Sequence, residues 1–527
     1  MDQKSIQIVK DNMKSKLPMQ ILEEALTFCK FGKFHIRLLA ATICSAFASM
    51  FVVTTSSYIL PVAECDLNMN LMHKGLLNAI PFVGQIGASL FTGFLVDAFG
   101  RKLFLVGGNL GIFVCTIIEG SSQTYWMLMF IKVIQGISLS LSFSAMATNI
   151  SEFCPIAIRD RVLLVNSSFV SLAIVIAAAM SWMILPFKLD VVIWPGYFEL
   201  HAWNFYLYMC SIWSFGAFIM YYNLPESPKY LLSHGRETEA LEVLKTIFSE
   251  NTGNSGDAFP IHSFSTSGTL KPTIELSFKK QLVNALFEVK ELFRPPLVFR
   301  LLFFSFITFS SLISFTSLRL WFPQLSTMIE NYDKNHGGSA RFCVMITDYM
   351  DSLNVSQVNV SDVMEAAVCV PKLSGSQTYI NGIILGFISM VFVGISALLV
   401  DYLGQKILLF IILLMSTVCS TSLYWTNASL QIAMLMSATC GLLQTTVMLQ
   451  QNVFVRVFPT TLRALAMSII IMFGRIGSLT GNIIFPLLLE TGCMAPFVLT
   501  SGISLCVAIL VFFLPNVNKE NKETGDK

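Results

Sequence analysis

Charged side chains are scarce in this 527-residue chain. Asp, Glu, Lys and Arg together make up 13% of it, against roughly 25% in an ordinary soluble domain. The two signs nearly cancel, leaving a net charge of +2. There is no cationic excess with which to hold a polyanion, so nucleic acid is excluded as a partner. No Cys or His spacing fits zinc, and no Walker loop occurs. Neither a metal site nor ATP-driven work is therefore expected, and no other cofactor is implied. No nucleophile shares a loop with a base, so the chain does not read as an enzyme. A cleavable leader is also missing: the first apolar run follows 37 residues rich in Lys, with no small-residue cleavage site after a short apolar stretch.

What fills the chain instead is hydrocarbon. Hydrophobic residues make up 54% of it, with a mean hydropathy of +0.68. A bilayer core about 30 Å thick needs roughly 17–25 apolar residues per helix. Twelve segments qualify: 38–61, 76–96, 103–120, 125–147, 162–186 and 203–224, then 299–322, 379–400, 407–425, 430–452, 464–489 and 495–514. The expectation is an all-α polytopic membrane protein lying in a lipid bilayer. Most of the 34 Lys and Arg fall on the side that carries both termini. The other side holds only Lys74, Lys188, Lys334, Arg341 and Lys372. By the positive-inside rule both termini are cytosolic.

The expected organisation is a cytosolic segment 1–37, six spans over 38–224, and a cytosolic linker over 225–298. Six more spans over 299–514 and a tail 515–527 follow. Within the linker, 237–248 has an apolar face at Ala240, Leu241, Leu244 and Phe248 and reads as an amphipathic helix. Asn251 to Thr269 reads as flexible. The loop 325–378 carries sequons at Asn354 and Asn359, which are modified only on the lumenal or extracellular face. It also holds Cys343 and Cys369, read as a disulfide pair in an oxidising compartment. Asn149 and Asn166 also head sequons but lie at or in spans, where they should stay unmodified.

A duplication is the strongest signal. Gly93, Asp97, Gly100, Arg101 and Lys102 fall between spans 2 and 3, while Asp401, Gly404 and Lys406 fall between spans 8 and 9. Asp97 and Asp401, Gly100 and Gly404, and Lys102 and Lys406 share one register. Pro155 with Arg159 after span 4, and Pro459 with Arg463 after span 10, repeat in that same register. Two motifs with a common offset imply two six-helix halves. Transporters built from such repeats hold their solute between the halves near the midplane.

The Gly-x-Leu-x-Asp-x-x-Gly-Arg-Lys loop at 93–102 resembles the signature of the major facilitator superfamily. That resemblance implies twelve helices in two pseudo-symmetric bundles, with these loop residues and Arg159 and Arg463 acting as a conformational gate. A narrower resemblance rests on Leu22-Glu23-Glu24-Ala25, Phe31-Gly32-Lys33-Phe34, Leu60-Pro61 through Leu67, Pro225-Glu226-Ser227-Pro228 through Leu232, and Trp321-Phe322-Pro323 closing span 7. In combination these are similar to the synaptic vesicle glycoprotein 2 branch, in a diverged, invertebrate-type form. Two departures stand out. Where relatives carry a pair of acids in span 1, aligning on Leu60-Pro61 puts Ser49 and Val52, which argues against ion coupling through that span. The lumenal loop is also shorter than in the vertebrate proteins, so functions tied to their large loop do not transfer.

A charge at the bilayer centre costs about 2.5–3.5 kcal/mol on insertion scales, so each one present needs a partner or a purpose. Lys132 and Gln135 share a face of span 4, and Gln444 and Gln451 share a face of span 10. With Arg475 in span 11 they are the candidate solute-binding residues. For each, the alternative is a structural contact between helices. Arg319 near the outer end of span 7 reads mainly as a snorkelling anchor. No midspan carboxylate is seen opposite Lys132 and Arg475. The sequence thus points to a monomeric secondary transporter or facilitator of a small organic solute, anionic or zwitterionic by preference. It would reside in the plasma membrane or a secretory-type vesicle. The alternative is a transporter-shaped vesicle protein with a mainly binding or trafficking role.

Overall fold

The computed structural model describes residues 18–264, 292–295, 297–362, 374–458 and 462–513. A short helix α1 (Pro18–Phe28) precedes the first six long helices. These are α2 (Lys33–Ile59), α3 (Leu71–Phe99), α4 (Arg101–Gly120), α5 (Tyr125–Phe153), α6 (Ile156–Ile184) and α7 (Ala202–Tyr222). Two short linker helices follow, α8 (Pro228–Ser233) and α9 (Glu237–Thr252). The second half comprises α10 (Leu297–His336), the loop helix α11 (Phe342–Asp362), α12 (Ser376–Leu403), α13 (Gln405–Ser422), α14 (Ser429–Val457), α15 (Arg463–Thr491) and α16 (Ala495–Val511). Twelve long helices thus answer the twelve apolar segments. By length and hydropathy alone, eight of them qualify as spans, and α3 adds a ninth. α3 bends by 55° between Ser89 and Phe91. Ser89 and Thr92 hydroxyls bond back to carbonyls of the preceding turn there, a contact that bends helices.

The duplicated loops adopt one conformation. Gly100 ends α3 at φ 95, ψ 156, and Gly404 ends α12 at φ 77, ψ 154. Only glycine takes such angles without strain, so the repeated glycines allow the chain to turn between adjacent spans.

Three expectations are revised. Span 7 does not close at Pro323: α10 runs through it to His336. Pro323 lacks an N–H, so the Arg319 carbonyl loses its helical partner. The sequons at Asn354 and Asn359 fall on helix α11 rather than in an irregular loop, though their side chains lie outside the described residues. The linker after Asn251 is packed as far as it is described, with Phe259, Ile261 and Phe264 buried.

Four large apolar clusters hold the bundle together. At the end carrying the linker, one cluster runs from Ile21 to Phe264 within the first half, and another from Leu292 to Val511 within the second. At the opposite end the clusters mix: Leu71 and Ile174 pack among second-half residues, and Tyr379 packs among first-half residues. The halves therefore share apolar cores at the loop end, while at the linker end each has its own core, and α3 and α15 still meet there where Gly93 lies by Ser468.

Candidate functional site

The seam at the loop end is built from close helix approaches and cross-half hydrogen bonds. α3 packs along α15, and α6 along α12. A methyl group added at Gly75 would stand 2.7 Å from Pro486 and 2.8 Å from the Asn482 carbonyl oxygen. Only glycine allows this approach. Asn78 Nδ2 donates to the Leu320 carbonyl at 3.3 Å, and the Tyr58 and Tyr379 rings stack 6.2 Å apart. Lys74, itself buried, pairs with Glu64 at 2.9 Å. Gln324 donates to the Tyr349 hydroxyl at 3.3 Å.

Just inside this seal lies Arg319. It is not an outward-snorkelling anchor. Its Nη2 crosses to α2 and donates to Thr54 Oγ1 at 3.0 Å, and its guanidinium carbon lies 5.7 Å from the Phe315 ring. Its Nε is buried without a hydrogen-bond partner among the described residues. Its expected place near the outer end of span 7 also shifts, because α10 continues past Pro323 and leaves Arg319 well inside the helix. A third cross-half bond runs from Gln444 Nε2 to Ser171 Oγ, at 3.3 Å.

Arg475 stands twelve residues into α15. Ser468 and Asn482 lie seven residues either side of it, on one face. Ser468 lies by Gly93 of α3 and Asn482 by Gly75 of the same helix, so Arg475 belongs to the stripe turned toward the other half. It is half-buried and makes no hydrogen bond or ion pair among the described residues. Next to it, Gly474, Gly477 and Gly481 press α15 against Thr308, Phe309 and Ile313 of α10.

The remaining solute-binding candidates are placed elsewhere. Lys132 has an acid opposite it after all: Nζ meets Glu119 Oε2 at 3.3 Å, and both side chains are 0% exposed. Gln135 donates to Thr116 Oγ1 at 2.9 Å. These four residues link α4 to α5 inside the first half, beside a narrow crevice lined by Val52, Thr55, Ile112 and Cys210. Ser49 turns back on its own helix, donating to the Ser45 carbonyl at 2.8 Å. Gln451 is exposed. Its neighbour Gln450 is the inward residue, donating to Ser311 Oγ of α10 at 2.9 Å.

At the linker end every described bond of the loop 97–102 stays within the first half. Arg101 pairs with Asp97 at 2.6 Å and Glu152 at 3.1 Å. Glu226 accepts the backbone N–H groups of Arg101 at 3.2 Å and Lys102 at 3.1 Å, capping α4. A carboxylate there also complements the positive end of the helix dipole. Arg159 holds Glu23 of α1 at 2.8 Å. Asn251 of α9 donates to the Cys29 and Lys30 carbonyls and accepts from Phe34 N–H. Burial beneath this layer pushes the Cys29 thiol up to about 12. In the second half Lys406 donates to the Phe512 carbonyl at 3.3 Å, and nothing crowds Gly404. The side chains of Asp401 and Arg463 lie outside the described residues.

The disulfide differs from expectation. Cys343 bonds to Cys493, across 150 residues, and not to Cys369, which lies outside the described residues. Cys65 is also disulfide-bonded. Cys343 opens α11 and Cys493 lies between α15 and α16, so α11 is tied to the roof of its own half.

Two six-helix halves meeting at a polar seam are the architecture in which secondary transporters hold their solute, and comparison with known proteins agrees on the fold. The family profile "Sugar (and other) transporter" matches residues 38–316, and "Major Facilitator Superfamily" matches 337–527. The chain belongs to this superfamily of membrane transporters. Within it, the chain is similar to synaptic vesicle glycoprotein 2B of Rattus norvegicus, 24% identical over 326 residues covering 58% of this chain and 47% of that protein. It is also similar to synaptic vesicle glycoprotein 2A of Homo sapiens, 26% identical over 257 residues, 49% of this chain and 35% of that one. The matched stretches span less than half the length of these relatives. Among solved structures, the inward open xylose transporter XylE from E. coli is 14% identical, covering 92% of this chain and 97% of its own, with a TM-score of 0.65. The nucleoside transporter NupG is 11% identical, covering 92% and 100%, with a TM-score of 0.57. At these identities the likeness is one of fold.

Proposed function

We propose that this protein carries a small organic anion or zwitterion across its membrane by alternating access. The solute is held between the halves by Arg475 and Arg319, with Gln444 and Ser171 beside them. The observation that carries this reading is Arg475, a cation near the middle of α15, on the face turned to α3, with no partner among the described residues. An unpaired charge at that depth costs about 2.5–3.5 kcal/mol, and an anionic solute offsets it. The charge asymmetry of the loops supports placing the linker end in the cytosol, and the shared apolar cores at the opposite end support reading this conformation as inward-facing. The residues Gly93, Asp97, Gly100, Arg101, Lys102 and Arg159, with Asp401, Gly404, Lys406 and Arg463 in the second half, then form the inner gate. Lys132 and Gln135 serve the frame of the first half.

The test is uptake of a panel of organic anions, zwitterions and neutral sugars into proteoliposomes. Arg475→Ala is expected to abolish uptake of the carried anion while leaving folding and reconstitution intact. Unchanged uptake by that variant, or carriage of neutral solutes alone, overturns the assignment. The names of the similar vesicle glycoproteins favour the second reading, a vesicle component that binds rather than transports. Saturable binding without flux across the whole panel would select it.

A further inference from the structure

The segment between α6 and α7 forms a β-hairpin that the helix count does not explain. β1 (Val191–Trp194) pairs antiparallel with β2 (Phe198–Leu200). Trp194-Pro195-Gly196-Tyr197 closes it, with Tyr197 N–H donating to the Trp194 carbonyl at 3.0 Å. Gly196 at φ 77 and Pro195 before it are the residues a type II turn requires. The base is fastened: Glu199 N–H donates to Gln123 at 3.0 Å, and Asp190 holds His201 at 2.9 Å. The hairpin is therefore a built element.

Its surface is apolar on both sides. All four residues of β1 are exposed, although neighbours along a strand face opposite ways. Ile193 is 62% exposed, Trp194 66% and Tyr197 76%, with Phe187 before the strand at 62%. A two-stranded hairpin is marginal in water at best, and this one leaves its largest side chains uncovered. A folded partner would cover one face. Only a fluid medium surrounds both. The exposed surface continues onto Trp182 and Met183 at the end of α6, on a helix of the bundle. Trp and Tyr are the residues enriched where a bilayer meets water.

We infer that the hairpin 187–200 is an interfacial membrane anchor, its Ile193–Tyr197 tip embedded in the headgroup and upper acyl region of the loop-side leaflet. Lys188 beside it suits lipid phosphate. This assignment is independent of which solute is carried.

Ile193→Cys and, separately, Tyr197→Cys are labelled with an environment-sensitive NBD fluorophore on the full-length chain. The exposed Cys506 is replaced by Ser, and the parent lacking the new cysteine sets the background. Each protein is reconstituted into phosphatidylcholine nanodiscs bearing a nitroxide on the headgroup, at acyl carbon 5 or at acyl carbon 12. The expected result is blue-shifted emission, quenched more by headgroup and carbon-5 nitroxides than by carbon 12. Water-like emission without lipid quenching means a hairpin standing in solvent. Blue-shifted emission without lipid quenching means protein cover. Either outcome at both positions overturns the inference.

Discussion

Arg319 of α10 reaches across the seam to Thr54 of α2, 3.0 Å from guanidinium to hydroxyl. It is a charged donor that bridges the halves just where their shared apolar core ends. One bond thus links a candidate solute ligand to closure of the loop end. A solute carboxylate that takes over the guanidinium would release Thr54, and with it one of the ties between the halves.

Thr54→Val is expected to loosen the loop end without removing the cation. Hydrogen bonds to charged groups contribute about 1.5–3 kcal/mol, enough to shift a two-state population roughly tenfold or more. Distance distributions between spin labels on α2 and α10 should gain a loop-open component. An unchanged distribution would show that Thr54 does not hold the seal. Arg319→Ala should lower uptake as well, which Thr54→Val should not.

Glu119→Gln is expected to destabilise the first half, because it leaves the fully buried Lys132 facing a neutral amide in place of its counter-charge. Breaking one side of a buried pair costs about 3–5 kcal/mol. Thermal unfolding of purified protein should show a marked loss. The double variant Glu119→Gln with Lys132→Met should recover most of it. If the double variant is no more stable than the single, the pair is not the reason these residues are there.

Non-reducing digestion should yield a peptide joining Cys343 to Cys493. Removing a native disulfide costs about 2–5 kcal/mol in small secreted domains. Here Cys343→Ser should free α11 first, seen as faster amide exchange over 342–352 with the spans unchanged. Exchange rates equal to wild type in α11 would contradict a structural role for the bond.

Cys29 reports on the linker-end layer. Its thiol is raised from 9.0 to about 12, so the reactive thiolate appears only as pH approaches 12, and at neutral pH its fraction is lowered about a thousandfold. Maleimide labelling at Cys29 should be negligible at pH 7.5 in the intact protein. Asn251→Ala, which removes the bonds to Cys29 and Lys30, should raise it. Rapid labelling of the unaltered chain would mean that α1 and α9 are undocked.

How much of this was legible varies with the physics involved. Span positions follow from a local property, the length of apolar runs, and most helices fall within several residues of them, while α10 overruns its span to reach His336. The repeated glycine turns were equally legible, since Gly100 and Gly404 each meet a backbone demand that shows in sequence. Pairing across helices was not. Glu119 near one span's end and Lys132 in the next meet only because of how α4 and α5 are rotated against each other, and no spacing rule encodes that rotation. Neither the depth nor the direction of Arg319 is legible for the same reason: apolar length closes the span at Pro323, whereas α10 runs on to His336 and turns the guanidinium to Thr54. The Cys343 partner was misassigned by assuming that nearness in the chain implies nearness in space. The hairpin did leave a signal, a Pro-Gly pair between two apolar β-formers, masked by the apolar stretches on either side.

The layer beneath the first half has a mechanical consequence. The cluster from Ile21 to Phe264 contains no residue of the second half. The Glu226 cap, the Arg159–Glu23 pair and the Asn251 bonds all end on first-half elements. Tilting the second half against the first therefore breaks none of these described contacts. The described linker layer thus rides with the first half alone, cargo fixed to one of two moving parts.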